Sequence, residues 1–313
     1  MNRKHIYEGQ EMRLDQYLVQ LFPHISRAYL QQTIQNGHVL LNDKKCKKGT
    51  MIREGDEIDI HPFVQPNERT IDGNPSVHFS ILHEFEHYVV LDKPPFLPTH
   101  PNQFNDLNTL ANGLVAKYPQ IIGVGDDSLR PGIVHRLDSN TSGIMLAALT
   151  SEGFTNLRNL FNEREIHKTY IALVLGNVES SGSIDTDVAH HPKNPRRMVA
   201  LTTESVPFRS RRRVAKTLYE PIEQFGQYTL VRVQTLTGRM HQVRVHMSSI
   251  GHPLVGDELY QTDREKNLDK LGLTRHFLHA VTIEFDDPWT DEEQRFHSKL
   301  SSDLEYVLAD LRT

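Results

Sequence analysis

The residues best suited to chemistry lie in one central stretch of the chain, residues 132–149, GIVHRLDSNTSGIMLAAL. Asp138 and Arg136 stand between an apolar pair at 133–134 and an unbroken apolar run at 144–149. Small and polar residues between strand-like runs favour a tight loop, so we expect Asp138 in a loop between two buried strands. Burying a carboxylate near a core costs several kcal/mol unless it is paired, hydrogen-bonded or chemically used. Asp138 is therefore either a paired structural residue or a candidate for chemistry, and its spacing alone does not make it catalytic.

A structural role is the competing interpretation of Asp138, because an Asp before Ser139 and Asn140 commonly caps a turn. The complete string nevertheless resembles the central motif of the RluA-type pseudouridine synthases, His-Arg-Leu-Asp followed by Thr-Ser-Gly. This resemblance implies that Asp138 is the catalytic residue. It also implies that Arg136 fills the gap left by an extruded base or holds the RNA backbone. The resemblance runs from about residue 81 to residue 308 and is closest to the RluD branch.

A second region with chemical potential spans residues 229–250. An alternating run ends at Thr237-Gly238, and the apolar spacing predicts a helix from Arg239 onward. An arginine in the first turn of a helix opposes the helix dipole, so a carboxylate partner is expected. The string TGRMHQVRVH resembles the third motif of the same family, whose arginine pairs with the catalytic Asp. The resemblance implies that Arg239 pairs with Asp138.

Tyr170 is the third candidate for the site. The segment Lys168-Thr169-Tyr170 follows a predicted helix over 152–164 and leads a predicted strand over 171–175. It resembles the family's Lys-x-Tyr, which implies that Tyr170 packs against the target base. Stacking on an extruded base contributes about 1–3 kcal/mol. The competing interpretation is a core or rim tyrosine at the start of a strand.

A zinc-protease pattern also occurs in the sequence, as HEFEH at residues 83–87. The H-E-x-x-H pattern binds zinc when a helix places both histidines on one face. Here the apolar run at 89–91 and the prolines at 94–95 predict a strand that ends in a turn. We interpret the match as coincidental and predict no metal site. The same stretch resembles the first motif of the synthase family, although Phe96 stands where that family usually has Gly.

Residues 11–61 are predicted to form a small separate module of two helices followed by a small sheet. The first helix is indicated by the spacing of leucines from Leu14. The second is predicted to begin at an N-cap, Ser26, and to end at Asn36-Gly37. The strings LDQYL, SRAYLQQTIQNGHVLLN and REGDEI resemble the S-four-type RNA-binding domain, named after a ribosomal protein. The module has seven acidic and seven basic residues, so any RNA contact must be local. A small protein-binding module is the competing interpretation.

Three prolines and few apolar residues make residues 62–76 typical of a linker. We therefore predict an α+β protein with an RNA-binding domain at 11–61, a linker at 62–76 and a catalytic domain at 77–313. The resemblance implies that the catalytic domain has a largely antiparallel mixed sheet.

Charge is unevenly distributed along a chain whose net formal charge is −5. An acidic balance argues mildly against nucleic-acid binding. Residues 193–216, however, carry eight Lys/Arg and one Glu, a net of +7, and the local field decides where a polyanion docks. A solvated, partly disordered basic loop is the competing interpretation of residues 193–216. Residues 189–201 are predicted to form an exposed arm. The candidate RNA-binding residues are Arg27, Lys44, Lys45, Lys47, Lys48, Arg196, Arg197, Arg211, Arg212 and Arg213.

The composition is that of a cytoplasmic protein. Cys46 is the single cysteine, which excludes disulfides within the chain and cysteine-rich zinc sites. No apolar run approaches the roughly 18 residues of a membrane span, and residues 1–13 lack the apolar core of a signal peptide. The reaction that the resemblance implies has no redox step and no group donor, so no cofactor is expected.

The leading functional hypothesis is an isomerase that converts uridine to pseudouridine in RNA. The RluD-like match and the N-terminal module imply large-subunit ribosomal RNA as the substrate, with transfer RNA as the alternative. A non-catalytic RNA-binding assembly factor and a zinc hydrolase built on His83 and His87 are the hypotheses from other classes. The intact segments around Asp138, Tyr170 and Arg239 favour the isomerase.

Overall fold

The computed structural model describes residues 3–23, 25–63, 70–101, 106–203 and 206–313. The chain forms two compact units, Met1–Thr70 and Ile71–Thr313, which divide inside the segment predicted as a linker. Both units combine helices with sheet, which confirms the α+β class. Within the described ranges, no helix has the length and apolar character needed to cross a membrane.

The N-terminal unit packs two helices against a small sheet. Its elements are β1 (Arg3–Ile6), β2 (Met12–Arg13), α1 (Leu14–Leu21), α2 (Arg27–Gln35), β3 (Val39–Leu41), β4 (Lys44–Lys45), β5 (Met51–Ile52) and β6 (Glu57–Ile60). The larger sheet has the order β1-β6-β3-β4, and β2 pairs with β5. Leu14 and Leu18 are four positions apart on α1 and therefore share one helix face. This face is fully buried in the same cluster as Leu30 of α2. The predicted cap is confirmed, since Ser26 Oγ accepts a hydrogen bond from the Tyr29 amide at 3.3 Å.

The C-terminal unit is built on one large sheet. Its elements up to the middle of the chain are β7 (Ser80–Glu84), β8 (Tyr88–Lys93), α3 (Leu110–Lys117), β9 (Ser142–Ala148), α4 (Ser151–Glu163) and β10 (His167–Leu175). The remainder are β11 (Gly182–Asp185), β12 (Val188–His190), β13 (Met198–Ala200), β14 (Arg209–Arg213), β15 (Lys216–Phe225), β16 (Tyr228–Thr235), α5 (Gln242–Ser249), α6 (Asp263–Leu268), β17 (Leu278–Asp286), β18 (Glu293–His297) and α7 (Ser302–Leu311).

Nine of the described strands form this sheet, in the order β11-β15-β16-β10-β17-β9-β8-β7, with β18 beside β17. Neighbouring strands are antiparallel except for β17 and β9, which run parallel. The predicted largely antiparallel mixed sheet is therefore confirmed. Every residue of β9 is buried, as expected for a continuous apolar run covered on both faces.

The prediction of a strand on both sides of Asp138 is wrong on the N-terminal side. Ile133 makes only a single bridge to Ala147, and β9 begins only at Ser142. A Cβ added at Gly132 would lie 2.4 Å from the carbonyl oxygen of Ala148, so the chain passes against the backbone of β9 here. Asp138 consequently lies in a loop that runs beside the sheet.

The turn after β8 keeps a geometry that favours glycine although Phe96 occupies it. Phe96 has a φ of 63° and is 55% exposed, and a left-handed backbone costs a non-glycine residue about 1–2 kcal/mol. Buried Lys93 fixes this turn by donating to the carbonyl oxygens of Pro94 and Leu97 at 2.9 and 2.8 Å. The same ammonium donates to the carbonyl oxygen of Ser139 at 3.0 Å, which ties the turn to the loop that carries the central motif.

The prediction of an exposed arm at residues 189–201 is wrong. β12 pairs with both β13 and β14 to form a separate three-stranded sheet. Val188 and Met198 are buried in one cluster with Val245 of α5. The proline- and arginine-rich composition favoured a loop, but these apolar positions are enough to bury one face of the sheet.

Candidate active site

One cavity of about 590 Å³ in the C-terminal unit brings the predicted site residues together. Three segments line it: the loop before β9, the connection from α4 into β10, and the connection from β16 to α5. Asp138, Arg136, Tyr170 and Arg239 all lie in its wall. Since β10 and β16 are neighbours in the sheet, segments far apart in the sequence meet at one place.

Asp138 is held at the cavity by a chain of charged groups. Arg244 donates from Nη1 to Asp138 Oδ2 at 3.0 Å. Its Nε and Nη2 donate to the two carboxylate oxygens of Asp257 at 2.7 and 2.9 Å. Such a forked pair fixes the plane of the guanidinium, so the remaining nitrogen is aimed at Asp138. The Asp138 side chain is 17% exposed and stays accessible from the cavity.

The contacts around Asp138 favour its ionised form. Burial acts to raise the pKa of the Asp138 carboxyl, but its electrostatic interactions with His241, Arg244 and His276 outweigh burial, and the pKa lies below its ordinary value. His241 Nε2 lies 3.8 Å from the same oxygen that Arg244 contacts. Despite its own burial, Arg244 has a raised pKa because Asp257 and Asp138 favour the cation. At neutral pH the cavity therefore contains a fixed carboxylate anion.

The predicted pairing of Arg239 with Asp138 is wrong, because Arg244 occupies that position. α5 begins only after His241, which adopts a left-handed backbone with a φ of 55°. Arg239 therefore precedes the helix and does not lie in its first turn. Its Nε donates to the carbonyl oxygen of Val214 at 2.9 Å. Arg239 remains a residue of the cavity wall.

Arg244 and Asp257 are functional candidates that the sequence reasoning missed. One signal was present: Arg244 lies between apolar positions of the predicted helix, and a buried arginine requires a carboxylate partner. The sequence does not show which acid meets it. Asp257 is 13 residues away and Asp138 is 106 residues away, so both contacts depend on the tertiary fold.

Tyr170 contributes a buried aromatic ring to the cavity wall. It lies on β10 between β16 and β17 and is 8% exposed. Burial raises the pKa of Tyr170 to about 12, so the phenol is neutral at physiological pH. The position suits a flat apolar contact with a planar ligand.

Arg136 lies in the same wall and donates from Nη1 to His100 Nε2 at 3.2 Å. Burial lowers the pKa of His100 to about 4, so this imidazole is neutral and can accept the hydrogen bond. The contact orients Arg136 without neutralising its charge. No carboxylate of the described part of the chain forms an ion pair with Arg136, and an oriented guanidinium of this kind suits a phosphate or a base edge.

The end of the chain reaches the loop that carries Asp138. Buried Arg275 donates from Nη1 to the carbonyl oxygen of Asn140 at 2.9 Å. Its Nε and Nη2 pair with Asp303 of α7 at 2.6 and 2.9 Å. Asp303 therefore holds the cation that fixes the loop.

The H-E-x-x-H pattern does not lie on a helix. His83 belongs to β7, and His87 stacks on Trp289 with ring centroids 4.5 Å apart. His87 Nδ1 is also 3.1 Å from Thr150 Oγ1. The predicted strand before the two prolines is confirmed as β8. Among the residues that the structure describes, no group of three or more His, Cys, Asp or Glu is placed to hold a metal ion.

The RNA-binding candidates of the N-terminal unit differ in their surroundings. Arg27 donates from Nε and Nη2 to buried Asp15 at 3.1 and 3.0 Å, so much of its charge is compensated within the module. Lys44 and Lys45 form β4, and Lys47 and Lys48 follow it in the chain. Lys44, Lys45, Lys47 and Lys48 are all exposed.

The candidates of the C-terminal unit lie on or beside the three-stranded sheet. Every residue of β14, which includes Arg211, Arg212 and Arg213, is exposed. Arg212 Nε lies 3.5 Å from a carboxylate oxygen of Asp187. Arg196 is exposed, and Arg197 lies over the ring of Tyr260 with its Cζ 5.3 Å from the ring centroid.

Comparisons with known proteins agree with this geometry. The family described as RNA pseudouridylate synthase matches residues 87–249, and the S4 domain matches residues 12–58. The ribosomal large subunit pseudouridine synthase D of Xanthomonas campestris is 32% identical, over 96% of this chain and 89% of its own length. The protein of the same name from Pseudomonas aeruginosa is 33% identical, over 98% and 94%. The solved human RNA pseudouridylate synthase domain containing 4 aligns with a TM-score of 0.57 at 25% identity, over 74% of this chain and 93% of that chain.

Proposed function

The chain belongs to the RNA pseudouridylate synthase family, and we propose that it isomerises specific uridines of large-subunit ribosomal RNA to pseudouridine. The choice of substrate is supported by relatives named as ribosomal large subunit synthases and by the S4 domain match. The observation that carries the chemistry is Asp138, an ionised carboxylate in the cavity wall that Arg244 holds at 3.0 Å.

Pseudouridine formation breaks the bond between N1 of uracil and C1′ of ribose, turns the base, and joins C5 to C1′. The proton lost from C5 is balanced by one gained at N1, so the product is an isomer of the substrate. In this proposal Asp138 attacks the sugar or the base as a nucleophile, or removes a ribose proton as a base. Each of these routes requires the ionised form that Arg244 favours.

The target uridine must leave its stack before it reaches the cavity, which costs a few kcal/mol. We assign Tyr170 to pack its ring against the uracil, because it provides the flat buried surface of the wall. Arg136 fills the space that the extruded base leaves or holds the backbone. Arg239 contacts the RNA from the wall of the cavity, in place of the carboxylate pairing predicted for it.

Pseudouridine mapping tests the proposed substrate. The full-length protein is incubated with unmodified transcripts of large-subunit ribosomal RNA and of transfer RNA, and pseudouridine is mapped in both. We expect modification at a small number of positions in the ribosomal transcript alone. Modification restricted to transfer RNA would contradict the proposed substrate. Ribosomal particles are tested as a third substrate. The absence of pseudouridine in both transcripts and in these particles would contradict the function.

The exposed strand β14 is proposed to contact RNA phosphates. Replacing Arg211 and Arg213 together with Ala should weaken RNA binding and reduce the slope of log K against log salt by about 1.4, as two fewer phosphates are neutralised. Filter binding at several salt concentrations measures this slope. Arg212→Ala serves as the control, because Arg212 already pairs with Asp187 and should change the slope less. An equal slope in the wild type and the double variant would place β14 outside the interface.

We place this reaction in the cytoplasm. The single cysteine, Cys46, suits a reducing compartment, because structural disulfides are not needed there. Ribosomal RNA is available to the enzyme in that compartment during ribosome assembly.

A further inference from the structure

A group of cations lines the candidate active site without acidic partners. Arg164, Lys168 and Arg239 all lie in the wall of the cavity that contains Asp138. Among the described residues, none of these three cations has a carboxylate oxygen within 4.0 Å. Lys216 of the same unit, in contrast, pairs with a carboxylate at 3.3 Å. The wall therefore presents uncompensated positive charge to the cavity.

Lys168 is the most enclosed member of this group. It is half-buried, and burial lowers the pKa of its ammonium to about 8. Its Nζ lies 5.4 Å from the centroid of the Phe161 ring. A Cβ added at Gly238 would be 3.6 Å from the same nitrogen, so the ammonium reaches the backbone just before Arg239. A partly desolvated cation is unfavourable unless an anion compensates it.

The arginines of the group converge on the same region. Burial lowers the pKa of Arg239, and the neighbouring charges of Arg213 and Arg164 lower it further. Arg164 ends α4 in a left-handed conformation with a φ of 65°. Within the described residues, the only hydrogen bond of the Arg239 guanidinium is the one from Nε to the carbonyl oxygen of Val214. Like charges held this close favour an anionic ligand between them.

The strand geometry places Lys168 beside Tyr170 in the wall of the cavity. Lys168 and Tyr170 are two positions apart on β10, so they share a face and lie about 7 Å apart along the strand. Both side chains line the cavity, whereas the intervening Thr169 does not. In the proposed binding mode, with the base against Tyr170 and the ribose at Asp138, the phosphodiester of the uridine would extend along this wall.

We propose that Lys168, together with Arg164 and Arg239, forms a subsite for the phosphodiester of the nucleotide that enters the cavity. This inference rests on the proposed function, because it takes RNA as the ligand. The subsite gives backbone contacts to the extruded nucleotide, whereas Asp138 acts on its sugar and base. Contacts of this kind position the RNA independently of its sequence.

Binding of a short RNA tests the subsite without requiring turnover. The probe is the fluorescently labelled pentaribonucleotide AAUAA, and anisotropy is measured with the full-length protein at several salt concentrations. Lys168→Met should weaken binding about tenfold, the size of one lost charge-assisted hydrogen bond. The salt slope should fall by about 0.7. Lys168→Arg should restore binding to near the wild-type value.

Two controls separate a phosphate contact from a structural effect. Lys168→Met should unfold at or above the wild-type temperature, because Met fills the same half-buried site without desolvating a charge. Lys117→Met removes an equivalent charge from α3, where the ammonium lies over the ring of Tyr118, and should leave binding unchanged.

Neutral linkages identify the contacted phosphate. Methylphosphonate is placed singly on either side of the uridine in AAUAA. At one linkage it should weaken binding by the wild type but not by Lys168→Met. The subsite would be overturned if methylphosphonate weakened binding equally in the two proteins at both linkages. It would also be overturned by an unchanged salt slope in Lys168→Met, or by the absence of binding to the wild type. None of these outcomes depends on pseudouridine formation, so failure of the subsite and failure of the proposed reaction are distinguishable.

Discussion

Asp138→Asn is expected to abolish pseudouridine formation while RNA binding persists. Asn has the shape of Asp but cannot supply the anionic oxygen that acts as nucleophile or base. Turnover should fall by about 10⁴-fold or more, the scale seen when a central catalytic group is removed. Release of tritium from RNA labelled at C5 of uracil measures turnover. Filter binding of the same RNA, whose phosphate contacts lie elsewhere, measures affinity.

The fold should survive this substitution. The amide oxygen of Asn can accept the hydrogen bond that Arg244 Nη1 now donates to Asp138. The other donors of Arg244 remain on Asp257, so no buried guanidinium is left without a carboxylate. Asp286→Asn, at the exposed end of β17, is the matched control and should keep full activity.

Two results would contradict the role of Asp138. Near wild-type turnover by Asp138→Asn would show that another group performs the chemistry. Equal losses of turnover and RNA binding, accompanied by a lower unfolding temperature, would show that Asp138 is a structural turn residue.

Elements with local signals could be predicted from the sequence. The Ser26 cap, the helix predicted over 152–164 and found at Ser151–Glu163, and strand β8 all depend on neighbours within a few residues. The wall of the cavity could also be anticipated, because Asp138 and Tyr170 lie in distinctive strings. These residues share one cavity only because β9, β10 and β17 are adjacent in the sheet.

The partner of Asp138 could not be predicted from local signals. Arg239 and Arg244 are five positions apart, and the choice between them depends on where α5 begins. His241 adopts a left-handed backbone before the helix, so Arg239 stays outside it and Arg244 turns toward the acids. The sequence does not encode this turn in any single residue type, since His241 lacks the freedom of glycine.

The sheet of β12, β13 and β14 was missed for a different physical reason. Residues 189–201 contain two prolines and two arginines, and this composition predicts an exposed loop. Val188 and Met198 are buried in one cluster with Ala215, Val245 and Tyr260, and the last two come from distant segments. A few apolar positions decide the structure here, and average composition does not reveal them.

Substitution of Arg244 is expected to lower turnover and to move its pH dependence. Arg244→Gln removes the cation that faces both Asp138 and Asp257, and kcat at pH 7 should fall about a hundredfold or more, as when one preorganised electrostatic contact is lost. Arg244→Lys keeps the charge without the forked geometry and should lie between Gln and the wild type. Tritium release at saturating RNA, measured from pH 5 to pH 9, gives both the rate and its pH profile.

The direction of the pH change follows from the charges around Asp138. In the wild type its pKa lies below the ordinary value, so the active anion is lost only as the pH falls through that lowered pKa. Without the cation, burial is opposed by fewer interactions, mainly those with His241 and His276, and the pKa of Asp138 rises. The acidic limb of the pH–rate profile should therefore move toward neutral pH in Arg244→Gln. The loss of activity should be larger at pH 5 than at pH 8.

Stability and pH profile together distinguish this role from simple packing. Breaking a buried pair can cost about 3–5 kcal/mol, so the unfolding temperature of each Arg244 variant is measured, and the Lys variant tests the argument if Gln does not fold. Arg312→Gln, which removes an arginine paired with exposed Glu223, is the control and should change neither rate nor profile. A folded Arg244 variant with reduced turnover but an unmoved acidic limb would mean that Arg244 only shapes the cavity. If the acidic limb of the pH–rate profile of this variant moved to higher pH, Arg244 would be shown to keep Asp138 ionised for the reaction.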